Sequence, residues 1–236
     1  MKSVFSKILM CLGACCMLAL TACNSDDDGP NTGGQRYFID IVTYEAGSEQ
    51  GTTFTFRKDG DSQLITLTTT QRLDPAFKVG SRLVIQYWPH SNERFVSGPV
   101  SVIQVLHTAG DGAELPEKTA EQTSNWRSNP IKMQSIGRSG NYLNFIFTGA
   151  MGNRNINPSA CVDAATVDSD YPVIHIIYGP DDSFTDKEYM FFGSYSIAAL
   201  WERPSCKGLM VYFKNETGTD ARVQLDKVGS SIKPGN

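Results

Sequence analysis

The stretch that decides the fold class is Tyr37-Phe38-Ile39-Asp40-Ile41-Val42-Thr43-Tyr44, a run of β-branched and aromatic residues. Such a composition is typical of a β-strand. A second run, Arg82-Leu83-Val84-Ile85-Gln86-Tyr87-Trp88, has the same character. Between them, Lys58-Asp59-Gly60-Asp61 predicts a hairpin turn, because an Asp-Gly pair readily takes the positive φ angles that tight turns require.

Three further strands are predicted near these two, at residues 52–57, 64–67 and 100–106. Five short strands without a helical period indicate a small closed barrel, since closure removes exposed strand edges. The sequence therefore predicts an OB-like five-stranded barrel over residues 36–113.

A polar segment at 114–125, which contains Pro116 and carries no strand signal, is predicted to be a linker. Short strands separated by turn residues follow it and indicate an antiparallel β-sandwich over residues 126–236. Residues 189–200 are predicted to form a strand followed by a loop, with a helical end at residues 196–200 as the alternative. The expected fold class is all-β: the OB-like barrel followed by the sandwich.

The first 22 residues have the pattern of an export signal. Lys2 and Lys7 give a positive start, and Ile8–Leu20 is an apolar run of 13 residues. A helix that spans a bilayer needs about 20 apolar residues. The run is therefore too short to be a membrane anchor and is predicted to be a signal peptide at 1–22.

The tetrapeptide Leu20-Thr21-Ala22-Cys23 fits a lipobox, in which an aliphatic residue and two small residues precede a cysteine. The Cys23 thiol is the predicted site of lipid attachment, and several acyl chains (palmitate among them) hold a protein firmly at a membrane where one holds it weakly. The alternative is an ordinary signal peptide with chance cysteines, since Cys11, Cys15 and Cys16 lie in the same run.

Residues 23–35 are polar and are predicted to be a lipidated flexible tether. The run Ser25-Asp26-Asp27-Asp28, directly after the lipobox cysteine, resembles the lipoprotein export signal of Bacteroidota. That resemblance implies an outer-membrane protein that is anchored by lipid and exposed on the cell surface.

The charge balance bears on the choice of partner. Without Lys2 and Lys7 the chain has 19 basic against 25 acidic side chains, a formal charge of about −6. Nucleic-acid binding needs clustered lysine and arginine residues that neutralise phosphates. The acidic balance therefore argues against a nucleic-acid partner.

Only two cysteines, Cys161 and Cys206, follow the lipobox. In an oxidising envelope two cysteines of one domain can form a disulfide. The alternative is a pair of separate buried thiols, and both remain open from the sequence.

No catalytic, metal or cofactor motif stands out. The three histidines (His90, His107 and His175) are not spaced as metal ligands, and no nucleophile elbow or phosphate loop is present. The sequence therefore predicts no catalytic residue, no metal and no cofactor. A polysaccharide hydrolase remains an alternative, because its paired carboxylates are usually far apart in sequence.

Tyr87 and Trp88 lie on a predicted barrel strand and are candidates for stacking on a ligand, since one face of OB-like barrels often binds oligosaccharides or oligonucleotides. The alternative is that both belong to the core, as most aromatic residues on strands do.

Several segments together resemble the NigD-like lipoproteins of Bacteroidota. They are the lipobox, the strand Gly80-Ser81-Arg82-Leu83-Val84-Ile85-Gln86-Tyr87 and the pair Asn129-Pro130-Ile131 and Gly140-Asn141-Tyr142-Leu143-Asn144. The resemblance implies an N-terminal OB-like domain, a C-terminal β-sandwich and a surface location. It implies no enzymatic activity.

Three functions follow from these features. The first is a non-catalytic surface module that binds a glycan or an envelope protein. The second, which the family resemblance alone implies, is a bacteriocin immunity or envelope-protection protein. The third is the polysaccharide hydrolase.

Overall fold

The computed structural model describes residues 36–123, 128–152, 158–179 and 184–227. The predicted signal peptide (1–22), the lipid-attachment residue Cys23 and the tether (23–35) lie outside the described residues, as do positions 124 and 125 of the predicted linker.

Five strands close into a barrel, as the sequence predicts. They are β1 (Phe38–Ser48), β2 (Gly51–Arg57), β3 (Leu64–Thr69), β4 (Arg82–Pro89) and β5 (Gly98–Gly110). Their order around the barrel is β1-β2-β3-β5-β4, and β4 pairs with β1 to complete the circle. Only β3 and β5 pair in parallel; the other neighbours are antiparallel.

Alternation along the strands fills the barrel with apolar side chains, because successive residues of a strand point to opposite faces. Val42, Leu83 and Ile85 are fully buried inside it, together with Phe54 and Leu67. This core is separate from that of the sandwich.

The second part of the chain forms two sheets. The larger sheet, in the order β13-β12-β10-β9-β6, contains β6 (Glu117–Lys118), β9 (Ser159–Asp163), β10 (Val173–Ile177), β12 (Gly208–Lys214) and β13 (Asp220–Asp226). The smaller sheet, in the order β11-β8-β7, contains β7 (Lys132–Ser139), β8 (Tyr142–Gly152) and β11 (Phe184–Ser196). Two one-turn helices, α1 (Ala120–Thr123) and α2 (Ala198–Trp201), and a 3-10 turn at Ala164–Thr166 complete the described elements.

The sandwich differs from the expected antiparallel arrangement in one respect. β10 pairs in parallel with β12, and β6 in parallel with β9, so the larger sheet is mixed. The parallel pair β10–β12 arises because the chain crosses to the smaller sheet as β11 before it returns.

Two further segments differ from the sequence interpretation. The predicted linker contributes β6, and its Leu115 is buried in the sandwich core. The predicted loop at the end of residues 189–200 contains α2, where Leu200 and Trp201 are buried. Tertiary burial of these apolar side chains outweighs the weak local signal.

The barrel and the sandwich belong to one compact unit, and two of the contacts between them lie on either side of a groove. At one, the turn after β2 docks on the turn after β7: the Gly60 N–H donates to the Arg138 carbonyl (2.8 Å) and the Gly140 N–H to the Gly60 carbonyl (2.7 Å). At the other, Arg82 of β4 reaches β8 and β11. A groove remains between these two contacts.

Candidate ligand-binding groove

The groove is a cavity of about 210 Å³ between the outer face of the barrel and the outer face of the sheet β11-β8-β7. Ile41 and Val84, which are opposite each other in β1 and β4, form part of the barrel wall; Val84 is fully buried, so the accessible surface of this pair belongs to Ile41. Ile146 and Phe192, which are opposite each other in β8 and β11, form the facing wall. Both walls are therefore apolar cross-strand pairs.

A basic rim surrounds this apolar floor. Arg57, Lys58 and Arg94 line the cavity. The ring of Phe95 lies between two of them, with the Lys58 ammonium 5.4 Å and the Arg94 guanidinium 4.6 Å from its centroid. Phe95 has a φ of 66°, a strained conformation for an aromatic residue that such contacts must offset.

Asp40 is the only carboxylate among the residues that line the cavity. Arg94 donates to it (Nη2 to Oδ1, 2.7 Å), and so does the Tyr87 hydroxyl (2.8 Å). Burial raises the pKa of Asp40 more than these two donors lower it. Burial lowers the pKa of the more exposed Arg94, but its hydrogen bond to Asp40 and the attraction of the nearby negative charge together raise that pKa by more.

Arg57 and Lys58 have no carboxylate partner within 4.0 Å among the described residues. Arg57 instead donates through Nη1 to the Ser62 carbonyl. With Arg94 and Asp40 included, the lining carries three positive charges and one negative, a formal charge of +2. The groove is positive although the whole chain has a formal charge of −4, and its positive charge favours an anionic ligand.

Arg82 closes one end of the groove and is 1% exposed. Its Nε donates to Ser194 Oγ (2.8 Å), its Nη1 to Thr43 Oγ1 (2.6 Å) and its Nη2 to Asn144 Oδ1 (3.4 Å). The guanidinium lies 4.1 Å from the centroid of Tyr142. Burial without a direct carboxylate partner lowers the pKa of Arg82 to about 10, so the side chain is still charged at neutral pH.

The two aromatic residues predicted as stacking candidates lie in different places. Tyr87 is 1% exposed and packs in the barrel core, where its ring has no free face. Trp88 is half-buried, and its buried indole Nε1 has no hydrogen-bond partner within the part of the chain that the structure describes. Neither residue lines the groove. Stacking on a ligand stays a prediction, for which Trp88 is the better placed.

Cys161 and Cys206 are both free and buried. Cys206 packs in the sandwich core beside residues such as Ala160 and Val162 of β9, whereas Cys161, between these two in sequence, points to the opposite face of the sheet. The arrangement matches the second alternative, two separate thiols. Burial raises the pKa of Cys161 to about 11, which makes its thiol a poor nucleophile.

Two kinds of catalytic arrangement, a metal site and a pair of carboxylates, can be compared with the described residues. They include no group of three or more His, Cys, Asp or Glu side chains that could hold a metal ion. Glycoside hydrolysis uses two carboxyl groups on either side of the scissile bond, and Asp40 alone faces the cavity. Among the same residues there is also no helix with the length and apolar character needed to cross a membrane.

The groove residues were not found from the sequence. Arg57 and Lys58 precede a turn, where charged residues are common, and Arg94 lies in a loop. Their convergence depends on how the barrel docks on the sandwich, which no local pattern encodes. A weak signal was present in Leu83-Val84-Ile85, since a strand with one free face alternates between apolar and polar residues.

Comparison with known proteins gives similarity of structure only. No protein-family profile and no curated protein matches the chain significantly. A protein of unknown function (DUF1344) from Bacteroides vulgatus superposes with a TM-score of 0.61 at 13% identity, over 85% of this chain and 96% of its own. A putative toxin-related protein from Parabacteroides distasonis gives a TM-score of 0.53 at 13% identity, over 82% and 95%.

A third solved structure, described as a NigD-like immunity protein from Bacteroides caccae, gives a TM-score of 0.50 at 14% identity, over 78% of this chain and 90% of its own. The similarity to these three proteins extends over both the barrel and the sandwich. The chain therefore has the fold of a group of Bacteroidales proteins that includes a NigD-like immunity protein, the family that its sequence resembles.

Proposed function

We propose that this protein is a non-catalytic binding protein of the bacterial outer membrane, held at the cell surface by lipid on Cys23, and that the groove binds its partner. The observation that carries the proposal is the groove itself: two apolar walls, a basic rim and a single carboxylate already engaged by Arg94. This is the composition of a recognition site, in which apolar contacts supply affinity and charges supply selectivity.

Rigidity of the groove supports the same function. Arg82 bonds to both walls at one end, and the Asp61 carboxylate accepts two bonds from Arg138 at the other (2.8 and 2.5 Å). A site held at both ends changes little on binding, so less of the binding free energy is lost in ordering it.

The partner class that the groove favours is polypeptide rather than glycan. Its walls are mainly aliphatic, with Phe192 as the one aromatic side chain among the lining residues. Sugar rings present hydroxyl groups over most of their surface, and these would be left without partners against isoleucine and valine. Aliphatic side chains of a polypeptide match the walls better.

The binding function can be tested on intact cells. The tagged full chain is cross-linked at the surface, and its partners are identified by mass spectrometry. We expect one envelope protein to be recovered with the wild type and with Ile103→Trp, but not with Ile146→Trp. Both variants replace an isoleucine by tryptophan; Ile103 is exposed on β5 outside the groove, whereas Ile146 lines the groove. Equal recovery with all three proteins would contradict the proposal.

The lipid anchor and the surface location need separate measurements. We expect metabolic labelling with a clickable palmitate analogue to label the wild type and not Cys23→Ala. We also expect proteinase K to degrade the protein on intact cells. An unlabelled wild type, or protection until the outer membrane is opened, would contradict the anchor or the location respectively.

Bacteriocin immunity is the second candidate, supported by the similarity of fold to a protein described as NigD-like immunity protein and to one described as toxin-related. Under this hypothesis the partner of the groove is a toxin. Deletion of the gene should sensitise the cells to a bacteriocin from a related strain, and Ile146→Trp should fail to restore protection. Identical killing of deletion and wild-type cells by every bacteriocin tried would reject it.

A further inference from the structure

We infer that the groove takes an acidic segment of polypeptide in an extended conformation, which adds as a fourth strand along the open edge of β7. This inference rests on the proposed function and names the chemistry of the partner. Three observations carry it: the open edge, the charges beside it and the apolar walls.

The edge of β7 is open beside the groove. β7 pairs only with β8 among the described strands; on its other side Gly60 bridges to Ser139 at one end, and β13 approaches β7 without pairing with it. Unpaired edges are where extended peptides add to a sheet.

The register identifies the groups that a peptide would meet. Ser139 and Tyr142 flank the two-residue turn of the β7–β8 hairpin and face each other. Hydrogen-bonded and non-hydrogen-bonded pairs alternate along an antiparallel ladder, so Arg138 and Ile136 direct their N–H and C=O groups away from β8. The bond from the Gly60 N–H to the Arg138 carbonyl fits this alternation. Ile136 therefore presents the next backbone groups on the same edge.

The outer face of β7 is continuous with the groove. Ser135 lines the cavity, and Lys132, whose pair on β8 is Thr148, lies on the same face. Every second side chain of an added strand would point into the cavity, between Lys132 and the two cations without an ion-pair partner, Arg57 and Lys58. Acidic side chains at these positions match the positive lining.

The remaining side chains of the added strand would point to the inner face, beside Met133 and Ile136. Both pack at the edge of the sandwich core and are half-buried. Apolar side chains suit this face. The expected ligand is therefore a segment in which acidic and aliphatic residues alternate.

The test is selection of ligands by the full chain, purified in detergent, from a random dodecapeptide display library. We expect selected peptides to be rich in Asp and Glu at alternate positions, and their affinity to fall about tenfold for Lys58→Glu. Lys78→Glu, on an exposed loop of the barrel away from the cavity, makes the same charge change and should leave affinity unchanged. Selection that gives no peptide, or peptides without acidic enrichment, would overturn the inference.

Hydrogen exchange distinguishes edge addition from binding elsewhere. A selected peptide should slow exchange of the Ile136 amide about tenfold or more, because that N–H becomes hydrogen-bonded and excluded from solvent. Unchanged exchange at Ile136 in a saturated complex would overturn the added strand.

Binding of polygalacturonate, an acidic polysaccharide, is measured in the same experiment. If it binds in a manner that depends on Lys58 while the library yields no peptide, the polypeptide inference is wrong. The proposed function fails separately, if Ile146→Trp leaves partner recovery on cells unchanged. The proposed function stands if Ile146→Trp abolishes recovery of the partner and Lys58→Glu does not. That outcome overturns only the inference that the bound polypeptide is acidic.

Discussion

Replacement of Arg82 by methionine is expected to be better tolerated than replacement by lysine. The side chain is a buried cation whose three bonded partners, Ser194, Thr43 and Asn144, are all neutral. Lysine keeps the charge but lacks the planar fork that reaches three acceptors. Methionine loses the bonds but also removes the charge from the interior.

The structure gives the size of each effect. Three bonds from a charged donor contribute about 1.5 kcal/mol each, or about 4.5 kcal/mol in all. Burial lowers the pKa of Arg82 from 12.5 to about 10, which corresponds to a cost of about 3 kcal/mol for the charged form. Arg82→Met also loses the stacking on Tyr142, about 0.5–1 kcal/mol, so its net loss is about 2 kcal/mol.

The other two substitutions are expected to cost more. Arg82→Lys retains most of the burial cost and loses at least one bond and the stacking on Tyr142, so we expect a loss of about 3 kcal/mol. Arg82→Ala additionally lacks the three apolar groups that methionine places in this site (Cγ, Sδ and Cε), at about 0.8 kcal/mol each, which gives a total loss of about 4 kcal/mol.

Urea unfolding followed by circular dichroism, with linear extrapolation, measures all three free energies of unfolding on one scale. The expected order of stability is wild type, Met, Lys, Ala. If lysine proves more stable than methionine, the positive charge itself stabilises the junction between barrel and sandwich. The burial cost inferred here would then be wrong.

Three further changes test other parts of the structure. Gly193→Ala should destabilise the protein by about 2 kcal/mol, because its Cβ would lie 2.1 Å from the Phe145 ring. Gly137→Ala, which has open space at its Cβ, should change stability by less than about 0.5 kcal/mol. Equal effects of the two substitutions in urea unfolding would refute the packing argument. Burial raises the pKa of Asp40 above its usual value of 3.8 in the folded protein. The protonated carboxyl group therefore stabilises the folded state at a pH below 3.8, and this stabilisation is lost as the pH rises through the pKa of the folded protein. The stability of the wild type relative to Asp40→Asn should therefore be greater at about pH 4 than at about pH 7, and a difference that does not vary with pH would contradict the assignment. The Cys161 thiol, with a pKa of about 11, should react with a thiol reagent at pH 8 only as the protein unfolds in urea, and rapid reaction of the native protein would show that the site is open.

The barrel could be predicted from the sequence because its signals are local. Residues 37–44 and 82–88 are β-branched and aromatic runs, and all of them except Tyr37 lie in strands. The Asp59-Gly60 turn joins β2 to β3, and Gly60 has a positive φ of 34°. Each of these features depends on a few neighbouring residues, so a single sequence suffices to read it.

The parts that could not be predicted depend on distant contacts. The two residues of β6 form a strand only because β9 lies beside them, and α2 is held by the burial of Trp201, on whose ring Arg138 stacks at 4.3 Å. The groove is of the same kind. Arg57 and Ser135 are far apart in sequence, and only the docking of two turns brings them to one cavity.

The strand β4 links the fold to the proposed function. Leu83 and Ile85 fill the barrel, yet Val84 on the opposite face is also completely buried. A barrel strand buried on both sides must be covered by another layer, and the sheet β11-β8-β7 provides that cover near Arg82. Further along, the cover ends, and the apolar outer faces of β1 and β8 line a cavity instead of packing on each other. An interface between two layers that is packed at its ends and open in the middle leaves apolar surface for a partner to bury. Because both ends are fixed by hydrogen bonds rather than by a hinge, we expect the cavity to persist in solution, where it can bind a partner without first having to form.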